Sequence, residues 1–202
     1  IFNLREKLGP ILWQFPPSFR YDRSRMRDFF ELLPKDTASA AALARKRDPF
    51  MKGRTRLAID ESRALRYAVE IRHESFKHES FIELLHEYNV ALVVAETARL
   101  WPLLEDITAD FVYMRLHGDK EIYRSGYSAK SLDRWAARIA AWRRGTEPAD
   151  AKKAAPKLRP ALQPRDVFCF FDNTDVKLRA PYDAQMLAKK LKIPRDAPAL
   201  IQ

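Results

Sequence analysis

The chain has 202 residues, 47% of them hydrophobic, enough to bury one well-formed core and too apolar overall for a disordered chain. No apolar run approaches the ~20 residues of a membrane-spanning helix and no signal-like segment opens the chain, so a cytoplasmic protein is expected. The formal charge of +10 is carried by two stretches, residues 45–66 with eight Lys/Arg against three Asp/Glu and residues 143–165 with seven against two. They read as basic excursions at 48–66 and 145–164, solvated rather than RNA-reading, because no aromatic-interleaved basic motif accompanies them.

The chain opens on Ile1, not Met, and enters as if mid-helix with NLREKLG, the look of a fragment. Residues 11–15 (ILWQF) read as a strand stopped by Pro16 and Pro17, with Gln14 near its end. Met26, Phe29, Phe30 and Leu33 at helical spacing predict a helix over 23–33, ended by Pro34. Asp36 or Thr37 can cap the alanine-rich helix that follows, to about residue 47.

Residues 67–72 (YAVEIR) form the next predicted strand, and His73 begins the turn out of it. Residues 80–88 read as a short amphipathic helix with Phe81, Leu84 and Leu85 inward. Residues 91–96 (ALVVAE) are an apolar run closed by an acid, typical of a strand covered on both faces. A connection over 97–110 follows, in which Trp101 and Pro102 suit a docked loop.

Residues 111–117 (FVYMRLH) carry the most informative pattern. In an extended strand Phe111, Tyr113, Arg115 and His117 point to one side, and Val112, Met114 and Leu116 to the other. A loop over 118–127 leads to the clearest helix, 128–144, with Leu132, Trp135, Ala136, Ile139 and Trp142 on one stripe. Residues 145–164 read as a flexible insertion. The last strand is 166–172, and a closing helix spans 180–191 with Pro181 in its first turn. Cys169, the single cysteine, lies inside that strand and reads as a buried reduced thiol.

Five strands alternating with helices, with no two-residue hairpin turn, predict βα units and a parallel sheet. An open doubly wound sheet and part of a (β/α)8 barrel both fit. The absence of a G-x-G-x-x-G or phosphate loop weakens the first. Polar residues at the downstream ends of the strands favour the second. Those ends supply Gln14; Glu70, Arg72 and His73; Glu96; Tyr113, Arg115 and His117; and Asp172 and Asn173.

They suggest a partly cationic mouth in which His117, Glu70 and Asp172 act in acid/base steps and Arg72, Arg115, Asn173, Gln14 and Tyr113 bind substrate. The competing expectation is that the charges only neutralise one another as internal ion pairs. Glu70, Glu96, His117 and Asp172 are types that suit a divalent cation, but no H-E-x-x-H-like spacing supports a site. No metal or other cofactor is expected. No Ser-His-Asp or Cys-His nucleophile set is legible.

Four segments together, LGPILWQFPPSF (8–19), AVEIRHESF (68–76), TADFVYMRLHG (108–118) and CFFDN (169–173), resemble the YecE-like family, domain-of-unknown-function family 72. The resemblance implies a TIM-type barrel without an established activity. Family members usually begin with a strand carrying a G-T-S-G-W type motif, which is not found here. By resemblance the five strands are therefore the fourth to eighth, and residues 1–202 form one domain, the C-terminal two-thirds of a barrel. The expected function is an enzyme or ligand-binding barrel for a small anionic or sugar-like substrate, as a lyase, isomerase or hydrolase using acid/base residues. The alternative is a nucleic-acid-associated protein that holds the phosphate backbone with the basic excursions.

Overall fold

Five strands pair side by side in chain order, each pair parallel: β1 (Ile11–Gln14), β2 (Tyr67–Glu70), β3 (Ala91–Glu96), β4 (Phe111–Leu116) and β5 (Asp166–Phe171). The computed structural model describes residues 1–174 and 178–194. Parallel neighbours require crossovers. Helices α1 (Arg23–Leu32) and α2 (Thr37–Arg45) cross from β1 to β2, and α3 (Glu79–Glu87) from β2 to β3. Helix α4 (Ala129–Arg143) crosses from β4 to β5, and α5 (Ala180–Lys190) follows β5. The starts obey local chemistry. Asp22 accepts from the amide of Arg25, Asp36 and Ser39 form a capping box, and Ser128 accepts from the amide of Ser131.

Strand alternation divides the core. One face of the sheet gathers Ala68, Ala91, Val93, Ala95, Phe111 and Tyr113, with Leu12 and Phe168 against them. The other face meets the helices. Val69 and Leu92 pack with Met26, Phe30, Phe81, Leu84 and Leu85. Val94, Val112, Met114 and Leu116 pack with Leu132, Trp135, Ile139 and Trp142. The first face is concave, because residues from distant strands touch across it. Arg66, just before β2, bonds Asp166 of β5 at 2.9 Å and lies over the rings of Phe111 and Phe168. Gln14 of β1 reaches Arg115 of β4 at 2.9 Å. The sheet is thus a curled half-barrel with helices outside it, an α/β fold.

Two segments differ from their sequence reading. Residues 2–7 form a 3₁₀ element broken at Arg5 (φ 48°), not the interior of an α-helix. Residues 145–164 are not a free insertion. Glu105 and Asp106, both buried, accept the amides of Lys152 (3.0 Å), Ala154 (2.8 Å) and Ala155 (3.0 Å). Arg138 of α4 ties Glu105 to Asp150 at 2.6 and 2.9 Å, and Ala155 is wholly enclosed. Paired carboxylates receiving backbone N–H groups hold the excursion down where its own composition does not.

Candidate functional site

Beyond the Arg66–Asp166 pair, the concave face carries a polar cluster that the sheet register explains. Gln14 pairs with Glu70 across β1 and β2, and Ala95 pairs with Arg115, itself opposite Phe170, across β3, β4 and β5. Arg72, two residues beyond Glu70, shares its face, as do His117 beyond Arg115 and Asp172 beyond Phe170. Strand β3 places only the methyl group of Ala95 between Arg72 and Arg115, so both guanidinium groups can reach the same acid. Glu70 is completely buried. One of its oxygens accepts from Arg72 Nε at 3.0 Å and the other from Arg115 Nη1 at 2.5 Å. The Gln14 side-chain oxygen accepts from Arg72 Nη2 at 2.7 Å and from Arg115 Nη1 at 2.9 Å. Arg115 Nη2 lies 2.6 Å from Asp172 Oδ2, and the Arg72 guanidinium stacks 3.7 Å above the ring of Trp101.

Burial lowers the pKa of Arg115, but its bonds to Glu70 and the charges of Glu70 and Asp172 outweigh that and leave it raised. The arginine is a permanent cation held in one orientation. Each guanidinium has five N–H donors, so these contacts leave some uncommitted.

His117 behaves differently from its neighbours. Its backbone amide is fixed to the carbonyl of Glu96 at 2.9 Å, its ring is fully buried, and Tyr123 packs edge-on against it at 5.3 Å. Neither ring nitrogen has a hydrogen-bond partner among the described residues, although Nδ1 lies 3.4 Å from Asp172 Oδ2. Burial pushes its pKa below the usual 6.5, and the Arg115 charge pushes the same way against Glu70 and Asp172. The imidazole is neutral at pH 7. A buried polar group left unmatched costs about 1–3 kcal/mol, a cost the indole N–H groups of Trp135 and Trp142 carry as well.

The other expected site residues separate by parity. Tyr113 lies one layer deeper on the concave face, stacked on Phe170 at 5.0 Å. Asn173 faces the opposite way: its amide nitrogen donates to Ser125 O at 3.1 Å and to Asp183 of α5 at 2.7 Å, tying the loop after β4 to the last helix. It does not join the cluster. Glu96 also faces the helices, where it bonds Arg134 at 3.3 Å. Glu70, Glu96, His117 and Asp172 therefore do not converge on one point, and Glu70 already serves two guanidinium groups. His73 caps the short turn Glu74–Phe76, accepting from the amide of Ser75 at 3.0 Å. Burial pushes the Cys169 thiol up to about 12, which leaves it unreactive at neutral pH. Two contributors escaped the sequence reading, Trp101 against Arg72 and Tyr123 against His117. Both are aromatic residues in loops, where no periodicity marks their direction.

Comparison with known proteins agrees with this architecture. The family model described as "Protein of unknown function DUF72" matches residues 1–201. A crystal structure of a DUF72 family protein from Thermotoga maritima superposes with a TM-score of 0.60 at 21% identity, over 93% of this chain and 59% of that one. A DUF72 family protein from Enterococcus faecalis gives 0.58 at 16% identity, over 94% and 61%. The chain therefore spans about three-fifths of the length of these solved structures. No curated protein matches it. Among the described residues no helix is long and apolar enough to cross a membrane.

Proposed function

Since the chain belongs to the DUF72 family, whose description assigns no activity, its role has to come from the site, and we propose an enzyme or ligand-binding barrel for a small anionic or sugar-like substrate. The observation that carries this reading is the buried, unpartnered imidazole of His117 beside the fixed guanidinium of Arg115. In this reading the five strands are the last five of a (β/α)8 barrel, and the cluster lies at the strand ends where such barrels do their chemistry.

Roles follow from the contacts. Arg115 and Arg72 offer their spare N–H donors to a carboxylate, phosphate or enolate oxygen. Neutral His117 accepts a proton from substrate at one ring nitrogen. Asp172, near the other, stabilises the imidazolium that forms, the division of labour that a His–Asp pair permits. Glu70 is assigned to holding the two arginines rather than to proton transfer, because both its oxygens are committed. Proton abstraction beside a carboxylate, as in a lyase or isomerase, uses all of these parts. Nucleic-acid binding through the excursions is the second reading: Arg63, Arg66 and Lys153 are each paired with an acid of the chain itself, whereas Lys52, Arg56 and Lys157 meet none among the described residues.

Arg115→Lys tests the assignment while keeping the charge that Glu70 needs. Titration of the chain with inorganic phosphate and with small hydroxy acids, followed calorimetrically, should show at least a tenfold weaker complex in the variant with unchanged circular dichroism. Equal affinity in the two proteins would remove Arg115 from the binding site.

A further inference from the structure

The loops that leave β3 and β4 flank an open cleft of about 500 Å³ between residues 97–100 and 120–124. That volume falls in the range of small-molecule sites. Its charged lining is Arg99, Lys120 and Arg124 against Glu121. Arg99 and Lys120 are exposed, and neither meets a carboxylate among the described residues.

The walls are fixed. Thr97 Oγ1 accepts from the amide of Trp101 at 3.0 Å, and Ser125 Oγ accepts from the amides of Lys120 at 2.9 Å and Glu121 at 3.0 Å. Three non-glycine residues of these loops adopt left-handed backbone, Ala98 (φ 49°), Arg99 (φ 70°) and Tyr123 (φ 62°). Such conformations are costly and persist where the surroundings impose them. The same two loops also reach the cluster, through Trp101 on Arg72 and Tyr123 on His117. Cleft and cluster are therefore built from one pair of loops.

We propose that this cleft is a second anion subsite, holding a phosphate group at the far end of the substrate through Arg99 and Lys120 while the reacting end lies against Arg115 and His117. The proposal rests on the reading of the cluster given above and narrows it: the substrate is a two-headed molecule, a phosphorylated hydroxy acid or sugar acid. Two linked anchors raise affinity over either alone because the second contact forms at high effective concentration. A neutral sugar gains nothing from the cleft.

The test is a nuclear magnetic resonance titration of the whole chain with inorganic phosphate and then 6-phosphogluconate, reading the amides of 97–100 and 120–124 and the ring of His117. Inorganic phosphate should move the cleft amides, and an Arg99→Ala/Lys120→Ala variant should lose that response while its His117 ring still moves. 6-Phosphogluconate should bind the unaltered chain at least tenfold tighter than inorganic phosphate, and the double variant should lose this advantage. A His117 ring that moves while the cleft amides stay still would refute the cleft alone. Cleft amides that move while the ring stays still would refute the cluster reading and the two-headed substrate with it. A tenfold advantage that survives in the double variant would also overturn the subsite.

Discussion

Replacing Glu70 with Gln keeps the shape of the side chain and removes the one charge on which two arginines rely. Glu70 is wholly buried, and the side chains of Arg72 and Arg115 are only 13% and 18% exposed. Breaking a buried pair from one side costs about 3–5 kcal/mol, because the remaining charge is stranded in a poor solvent. Here Arg115 keeps Asp172, and Arg72 keeps Gln14 and the face of Trp101. The lower end, about 3 kcal/mol, is therefore expected. Gln also presents an amide N–H₂ to one guanidinium where the carboxylate presented an oxygen. For a chain of this size each kcal/mol lowers Tm by about 2–4 °C, so the melting point should fall by roughly 6–12 °C. Urea unfolding followed by circular dichroism should show the lower midpoint with an unchanged slope. Adding Arg72→Met to Glu70→Gln removes the charge left without an acid and should recover about 1 kcal/mol or more. A loss below about 0.5 kcal/mol in Glu70→Gln would refute the reasoning, since only a solvent-screened pair is that weak.

His117→Leu should leave stability unchanged or raise it, because it removes two buried ring nitrogens without partners, and should weaken anion binding at the cluster while the cleft amides still respond to inorganic phosphate. A loss above about 2 kcal/mol would instead mark the ring as a structural support. The pH dependence of the unaltered chain carries the same information. With the folded pKa of His117 below 6.5, the unfolded chain binds more protons just under that pH. Stability therefore falls as the pH drops through 6.5 and levels off below the folded value; the Leu variant should show a shallower slope, the remainder coming from His86, whose pKa burial also lowers. Asp106→Ala should free the amides of Ala154 and Ala155, speeding their hydrogen exchange and costing about 2 kcal/mol. Unchanged exchange at both amides would mean that the carboxylate does not hold the excursion.

The strand core was legible because alternation is a strong signal. The pattern of 111–117 places Tyr113, Arg115 and His117 on one side, and Phe111 and Tyr113 do lie on the concave face while Val112, Met114 and Leu116 meet the helices. Parity failed where a strand is apolar on both faces. Within ALVVA and VFCFF no polar residue marks which side is which, so Glu96 and Asn173 were placed only by their bonds to Arg134 and Asp183. Asp172 and Asn173 are adjacent and cannot share a face of an extended chain. The pinned excursion was hidden for another reason. Its restraints join Glu105 and Asp106 to amides 47–49 residues away, and local composition is blind to such contacts. The curl of the sheet is likewise a long-range matter, visible only once Gln14 meets Arg115 and Arg66 meets Asp166.

The ring of His117 offers the most direct test of the account as a whole, through nitrogen-15 chemical shifts followed across pH in the free chain and with saturating inorganic phosphate. The expected ring is neutral at pH 7, half-protonated below 6.5, and shifted upward when an anion sits beside it. A ring that titrates at or above 6.5 in the free chain, and does so identically with phosphate present, would contradict the idea that this imidazole waits, enclosed and unpartnered, for a ligand.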